Sequence, residues 1–256
     1  MLAAGPAAVV SHESGGVVHG QWLPLPVSTD VHLTESGGID RLDNGVRVHQ
    51  SRLPVELVTV VAGLRVTSVA RTGVDLARAR SLPEAMVAID GAARALALAS
   101  SPDAYESLRG PERGALSDMS RRALAATFES VRAWPGSVVV RTAIDLADPA
   151  SESPFESRSR GRMVEARLPT PYVAFPVRGA SGTWYFADFA WPERRLVGEA
   201  DGTGKYGRSD TEVTQSLRRE RQRQRDIEDA GWTFVRWDST ERPATVIDRL
   251  RRALYT

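Results

Sequence analysis

The sequence has 256 residues, 42% of them apolar and 25% charged, the balance of a globular protein and not of a disordered, collagenous or coiled-coil chain. It has no cysteine, which excludes disulfides, thiolate zinc sites and a cysteine nucleophile. No apolar run approaches the roughly 20 residues of a membrane helix, and 33 Lys+Arg against 32 Asp+Glu leave no strong basic field. No membrane partner is therefore expected, and the cytoplasm suits a cysteine-free chain.

At about 150 residues per domain the length allows one large domain or two small ones. The start, Met1 to Val10, lacks the positive flank and long apolar core of a secretory signal and reads like the interior of a helix bundle. Ser11 is placed to cap a helix through His19, ended by Gly20. Residues 31–34 and 46–49 alternate as strands do, with Asn44-Gly45 between them as a tight turn. Further strands are expected at 57–61 and 64–66. The period then becomes helical from 68 to 79, with Ser68 as cap. A second helix opens at Pro83 and runs through Leu98, with Met86, Ile89 and Ala93 inward. Others follow at 102–109, 113–132 and 136–147. All four histidines, His12, His19, His32 and His49, lie in the first fifth of the chain. His12 and His19 are spaced to share a helix face, but two ligands do not make a metal site, so hydrogen-bonded or surface roles are expected.

Residues 151–154 read as a linker into a helix that reaches about Arg167, where Pro169 and Pro171 stop it. Strands are expected at 172–177, 184–189 and 196–199, a charged helix at 218–230 ended by Gly231, a strand at 232–237 and a closing helix at 246–254. The order is helix, three strands, helix, strand, helix: αβββαβα. The overall fold class is α/β. Residues 1–110 form an amino-terminal α/β region, 111–150 a helical connector and 151–256 a carboxyl-terminal domain.

The central hairpin of that last domain carries the chemistry. Trp191 and Leu196 flank a loop centred between Glu193 and Arg194, and a symmetric loop sets Asp188 opposite Glu199. Side chains in that relation have Cβ atoms roughly 4.5–5.5 Å apart, and like charges there destabilise a sheet. A shared proton, a nearby cation or a divalent metal would offset the repulsion, and two carboxylates with a carbonyl and waters suit Mg²⁺. Lys205 follows the same strand after a glycine-rich turn. It is the single lysine among the 33 basic residues, kept where a GC-rich coding bias has turned the others to arginine. The turn is not a phosphate-binding P-loop: Gly198 and Gly204 are spaced too widely, and Tyr206 stands where Ser or Thr is required. The arginines from Arg218 to Arg225 make either a solvated helix face or a set of phosphate contacts. Trp232 and Trp237 are expected in the core.

Taken in order, Ser153-Pro-Phe-Glu-Ser, Phe186-Ala-Asp-Phe-Ala-Trp-Pro-Glu, Gly198-Glu-Ala-Asp-Gly, Lys205-Tyr-Gly, Glu220-Arg-x-Arg and Gly231-Trp-x-x-Val-Arg-Trp resemble the PD-(D/E)XK, restriction-endonuclease-like superfamily, nearest its very-short-patch-repair-like branch. Upstream, Ser11-His-Glu-Ser, His19-Gly and Val66-Thr-Ser-Val-Ala-Arg-Thr-Gly-Val-Asp-Leu-Ala resemble AbiEi-like antitoxins of actinobacterial toxin–antitoxin systems, whose usual amino-terminal winged helix is not expected within these residues. The resemblance implies a restriction-endonuclease-like fold with a mixed sheet and Mg²⁺- or Mn²⁺-dependent hydrolysis of DNA. Asp188 and Glu199 would bind the metal, Glu156 would complete the acidic set, and Lys205 would stabilise the transition state. Arg218, Arg219 and Arg223 would contact DNA. A cognate toxin is the implied protein partner. One departure stands out: Asp201 occupies the slot in which the superfamily carries lysine. A catalytically weak or inactive DNA-binding regulator is the alternative.

Overall fold

The computed structural model describes residues 8–37, 39–202 and 210–255. The chain divides into two compact units, Met1–Pro149 and Ala150–Thr256. Both are mixed α/β, as expected. Among the described residues no helix is long and apolar enough to cross a membrane.

The first unit opens with β1 (Val9–Val10), α1 (His12–His19), β2 (Val31–Glu35), β3 (Arg41–Asp43), β4 (Val46–Gln50), β5 (Val58–Val61) and β6 (Leu64–Thr67). These strands make one six-stranded sheet in the order β3-β4-β2-β1-β6-β5. Asn44 and Gly45 both adopt positive φ, 48° and 76°, the geometry of a tight hairpin turn. The turn joins β3 to β4, whereas β2 and β4 run parallel, with His32 level with Arg47 and Thr34 with His49. The sequence expectation of a turn holds, but its strand partner is the short edge segment Arg41–Asp43.

Five helices follow: α2 (Val69–Ala77), α3 (Leu82–Leu98), α4 (Ala104–Ser107), α5 (Arg113–Glu129) and α6 (Ser137–Asp145). Ser68 caps α2, its side chain accepting from the Arg71 N–H at 3.3 Å. Met86, Ile89 and Ala93 of α3 are fully buried, the face read from their spacing. The segment expected as a connector, 111–150, contributes Leu124 and Phe128 of α5 and Val140 and Ile144 of α6 to the same core. Alanine and glycine let these helices approach closely. A Cβ built on Gly73 of α2 would lie 2.5 Å from the Ala92 Cβ of α3. Glycine-to-alanine changes in a helix normally stabilise by up to about 1 kcal/mol. Gly73→Ala is expected to do the reverse, costing roughly 1–3 kcal/mol through overpacking, read as a lower urea midpoint.

The second unit contains α7 (Pro154–Glu165), β7 (Tyr172–Arg178), β8 (Trp184–Trp191), β9 (Leu196–Asp201), α8 (Asp210–Asp229), β10 (Thr233–Asp238) and α9 (Pro243–Tyr255). The order is αβββαβα, and the sheet reads β10-β9-β8-β7. It is mixed: β10 runs parallel to β9, and the other pairs are antiparallel. Helices cover both faces. Met163 of α7 and Leu250 and Leu254 of α9 share a core with Phe189, Trp191 and Trp237. Ile227 of α8 shares another with Val177 and Val197. Trp237 is a core residue, stacked on Phe189, with its indole N–H donated to Ser159 Oγ at 3.0 Å.

Candidate functional site

The β8–β9 hairpin has the register set by its loop: Trp191 faces Leu196, Ala190 faces Val197 and Phe189 faces Gly198. The next step of that register brings Asp188 to Glu199, and there the ladder stops. Beyond it β8 continues beside β7 and β9 beside β10, so the sheet forks between the two carboxylates. Asp188 closes the fork with its side chain, accepting the Ala200 N–H at 2.8 Å through Oδ2. Its backbone neighbour Ala174 on β7 has φ 43°, a further local departure from regular strand geometry.

Charged groups surround this fork. Glu199 is buried, 6% exposed, and accepts from Arg223 Nη2 at 2.8 Å. The same Nη2 donates to the Phe186 carbonyl at 2.8 Å, and Nη1 lies 3.1 Å from Glu220 Oε1. Glu220 in turn pairs with Arg236, which stands level with Glu199 on β10. Burial and the neighbouring Glu156 push Asp188 up to about 7, against the opposing effects of the Ala200 N–H and Arg223. Burial and the charge of Asp188 push Glu199 up to about 7 as well, with Arg223 opposing. Two carboxyls that repel in this way titrate as a pair and hold a proton between them near neutrality.

Glu156 approaches from the first turn of α7, where it serves the helix cap. Ser153 Oγ accepts its N–H at 3.2 Å and donates to its Oε1 at 2.7 Å, while Oε2 takes the Glu152 N–H at 2.8 Å. Its carboxylate is thus held by the cap rather than turned wholly to the fork. Ser153→Ala is expected to cost about 1 kcal/mol and to loosen the first turn of α7, seen as faster amide exchange there.

Of the residues expected in the site, Asp188, Glu199 and Glu156 come together. Arg223 does not point outward as a DNA contact. It is the cation of the fork, because the stripe of α8 that anchors on Ile227 carries residues 220 and 223 inward. Arg218 and Arg219 are exposed. Lys205 lies outside the described residues. Asp201, read in the sequence only as a missing lysine, belongs to the group: its charge raises Asp188, and its Oδ2 lies 3.9 Å from Arg236 Nη1. Strand alternation from Glu199 would have found it. Among the described residues no three carboxylates bring oxygens within 4.8 Å of one another; the group that meets that distance is His12, His32 and His49.

This histidine group was not foreseen. His12 stands at the start of α1 with φ 49°, His32 on β2 and His49 on β4. His32 Nδ1 and His49 Nε2 are 2.9 Å apart, and the rings of His12 and His49 stack with centroids at 3.7 Å. Burial, then neighbouring positive charge, lowers His12 to about 3 and His49 to about 4; burial also lowers His32. All three imidazoles are therefore neutral at neutral pH. They line a cleft of about 450 Å³ with Asp40, Arg78 and Arg80. His19 takes no part: its Nε2 donates to the Thr67 carbonyl at 2.7 Å, the hydrogen-bonded role expected for it.

The fold and these two clusters define a two-unit mixed α/β protein with a carboxylate fork in one unit and a histidine trio in the other. No family model and no solved structure matches the sequence. Two uncharacterized proteins of Mycobacterium tuberculosis, MT2308 and Rv2248, are similar to it: each is 29% identical over 222 residues, covering 87% of this chain and 69% of its own length.

Proposed function

We propose that the Ala150–Thr256 unit is a metal-dependent nuclease that hydrolyses DNA phosphodiester bonds, a member of the PD-(D/E)XK class in a protein of the toxin–antitoxin or defence type. The observation that carries this reading is the fork itself. Asp188 and Glu199 meet where two neighbouring strands part, buried and repelling each other to the point of retaining a proton. The donor set fits Mg²⁺ or Mn²⁺, which take carboxylate oxygens, and a divalent cation can substitute for the retained proton.

Asp188 and Glu199 would hold the ion, with Asp201 at the rim. When bound, the ion supplies Lewis-acid activation of the phosphodiester and of water. The chain's own groups do the rest. Arg223 fixes the Glu199 carboxylate and brings positive charge to the place where the phosphate must sit. The Ala200 N–H holds Asp188 in one rotamer. Arg218 and Arg219, exposed on the same helix as Arg223, would contact backbone phosphates, which position DNA without reading its sequence. Lys205 enters by resemblance alone, as a further cation at the transition state.

Incubating supercoiled plasmid with the full chain and Mg²⁺ or Mn²⁺ tests the reading. Cleavage is expected, with none in chelator and none from Asp188→Asn. A second reading is favoured by Arg223, which already neutralises Glu199, and by Asp201 in the lysine slot. In it the unit is an antitoxin-like regulator that binds DNA, or a cognate toxin, without turnover. Salt-sensitive DNA binding with no cleavage under any divalent ion would select it.

A further inference from the structure

We propose that His12, His32 and His49 bind one first-row transition-metal ion of the zinc class, with the remaining coordination position open to the adjoining cleft. Three imidazoles from three different elements bring ligand nitrogens within 4.8 Å of one another. Zinc–nitrogen bonds of about 2.0–2.1 Å in a tetrahedron set ligand nitrogens roughly 3.3 Å apart, so the 2.9 Å between His32 Nδ1 and His49 Nε2 opens by a few tenths of an ångström on binding, and the stacked rings of His12 and His49 swing out of their stack to aim their lone pairs at one ion.

A second observation points the same way. His32 is 5% exposed and Glu13 8% exposed, and Glu13 Oε2 lies 3.3 Å from His32 Nδ1, the nitrogen that faces His49, so a buried carboxylate adds negative charge where a cation would sit. The other oxygen of Glu13, Oε1, is held by Arg80 at 2.8 Å. Ser11 Oγ lies 3.0 Å from His12 Nδ1 and accepts from the Thr34 hydroxyl at 2.8 Å, an outer partner of the kind that fixes a ligand histidine's tautomer.

Three neutral nitrogens select zinc, cobalt, nickel or copper over Mg²⁺, which prefers oxygen. The site is therefore chemically separate from the carboxylate fork and does not depend on the nuclease reading. Three histidines with an open position are the pattern of catalytic rather than structural zinc. Here the open position faces a cleft of about 450 Å³, with Arg78 and Arg80 at hand for an anionic ligand.

The test is metal titration of the dialysed full chain. Calorimetry with Zn²⁺ should give a single equivalent, and Co²⁺ should give the visible spectrum of a four-coordinate ion that Zn²⁺ then displaces. Glu13→Gln should weaken binding about 10-fold, and His49→Gln by more than the roughly 100-fold upper range for an orienting partner. Asp188→Asn should bind as wild type. Nitrogen NMR of histidine-labelled wild type reads the ligated atoms directly, so the outcome does not rest on any variant folding. Absence of Zn²⁺ and Co²⁺ binding would leave a hydrogen-bonded histidine stack only and overturn the proposal. So would histidine resonances unmoved by zinc, full affinity in His49→Gln, or loss of binding in Asp188→Asn.

Discussion

Asp188→Asn is expected to abolish divalent-ion-dependent cleavage and, above neutral pH, to make the Ala150–Thr256 unit more stable than wild type. The first effect follows from removing a metal ligand, and a loss of at least roughly 100-fold matches what deleting one group that stabilises transition-state charge costs. The second follows from linkage. Asp188 and Glu199 are held up to about 7 in the folded unit, against about 4 for carboxyls in an unfolded chain. Between those values the folded state binds more protons than the unfolded state. Stability therefore falls as pH rises through that window, and the contribution is gone above about pH 7. Asparagine keeps an acceptor for the Ala200 N–H and removes the charge that raises Glu199, which Arg223 can then hold ionised. The gain at alkaline pH is at most about 4 kcal/mol, three tenfold changes in the proton affinity of Asp188 at about 1.4 kcal/mol each. Urea-dependent hydrogen exchange of β8 and β9 amides, compared at fixed pH between variant and wild type, measures it. A wild type whose stability is flat between acid and neutral pH would remove the physical basis of the fork.

What was legible in the sequence was local. Trp191 and Leu196 define the ends of a short loop, and a symmetric loop has one centre, so the register that pairs Phe189 with Gly198 could be counted from it. The order αβββαβα followed from periodicity and from stops such as Pro169 and Gly231. What was not legible depended on contacts across distant elements. The arginine run on α8 offers five candidates, and only the packing of Ile227 decides that Arg223 turns to the sheet. The histidine trio needs β2 and β4 to run parallel. Asn44-Gly45 says only that a hairpin turns there, and the edge strand β3, three residues long, is too short to announce itself as the partner. His12 also adopts a backbone conformation with φ 49° that non-glycine residues rarely take. A search for helical i, i+7 spacing therefore pairs it with His19, the wrong histidine.

The largest expected loss of stability lies beneath that cluster. Arg71 and Asp75, one turn apart on α2, are both inside the first unit, with Arg71 fully buried. Arg71 Nε reaches both Asp75 oxygens, at 3.0 and 2.8 Å. Its other nitrogens donate to Ser51 Oγ at 2.8 Å and to the Arg52 carbonyl at 3.4 Å, tying α2 to the segment after β4. Breaking a buried ion pair from one side leaves the partner charged and unmatched, at a cost of about 3–5 kcal/mol. Arg71→Met is expected to cost that much. Burial already raises Asp75, and Arg71 is the first of the groups opposing it. Without Arg71 its proton affinity rises further, so the variant loses stability progressively as pH climbs above the ordinary carboxyl range, by the same sign argument as at the fork. Arg71→Met combined with Asp75→Leu should recover most of the loss, because an apolar pair of similar volume carries no desolvation penalty. The restored fold would still lack the tether to Ser51. The segment carrying His49 should then exchange its amides faster than in wild type although global stability has returned. Equal protection of β4 in the double variant and wild type would show that Arg71 acts through its charge balance alone and not by positioning the histidine strand.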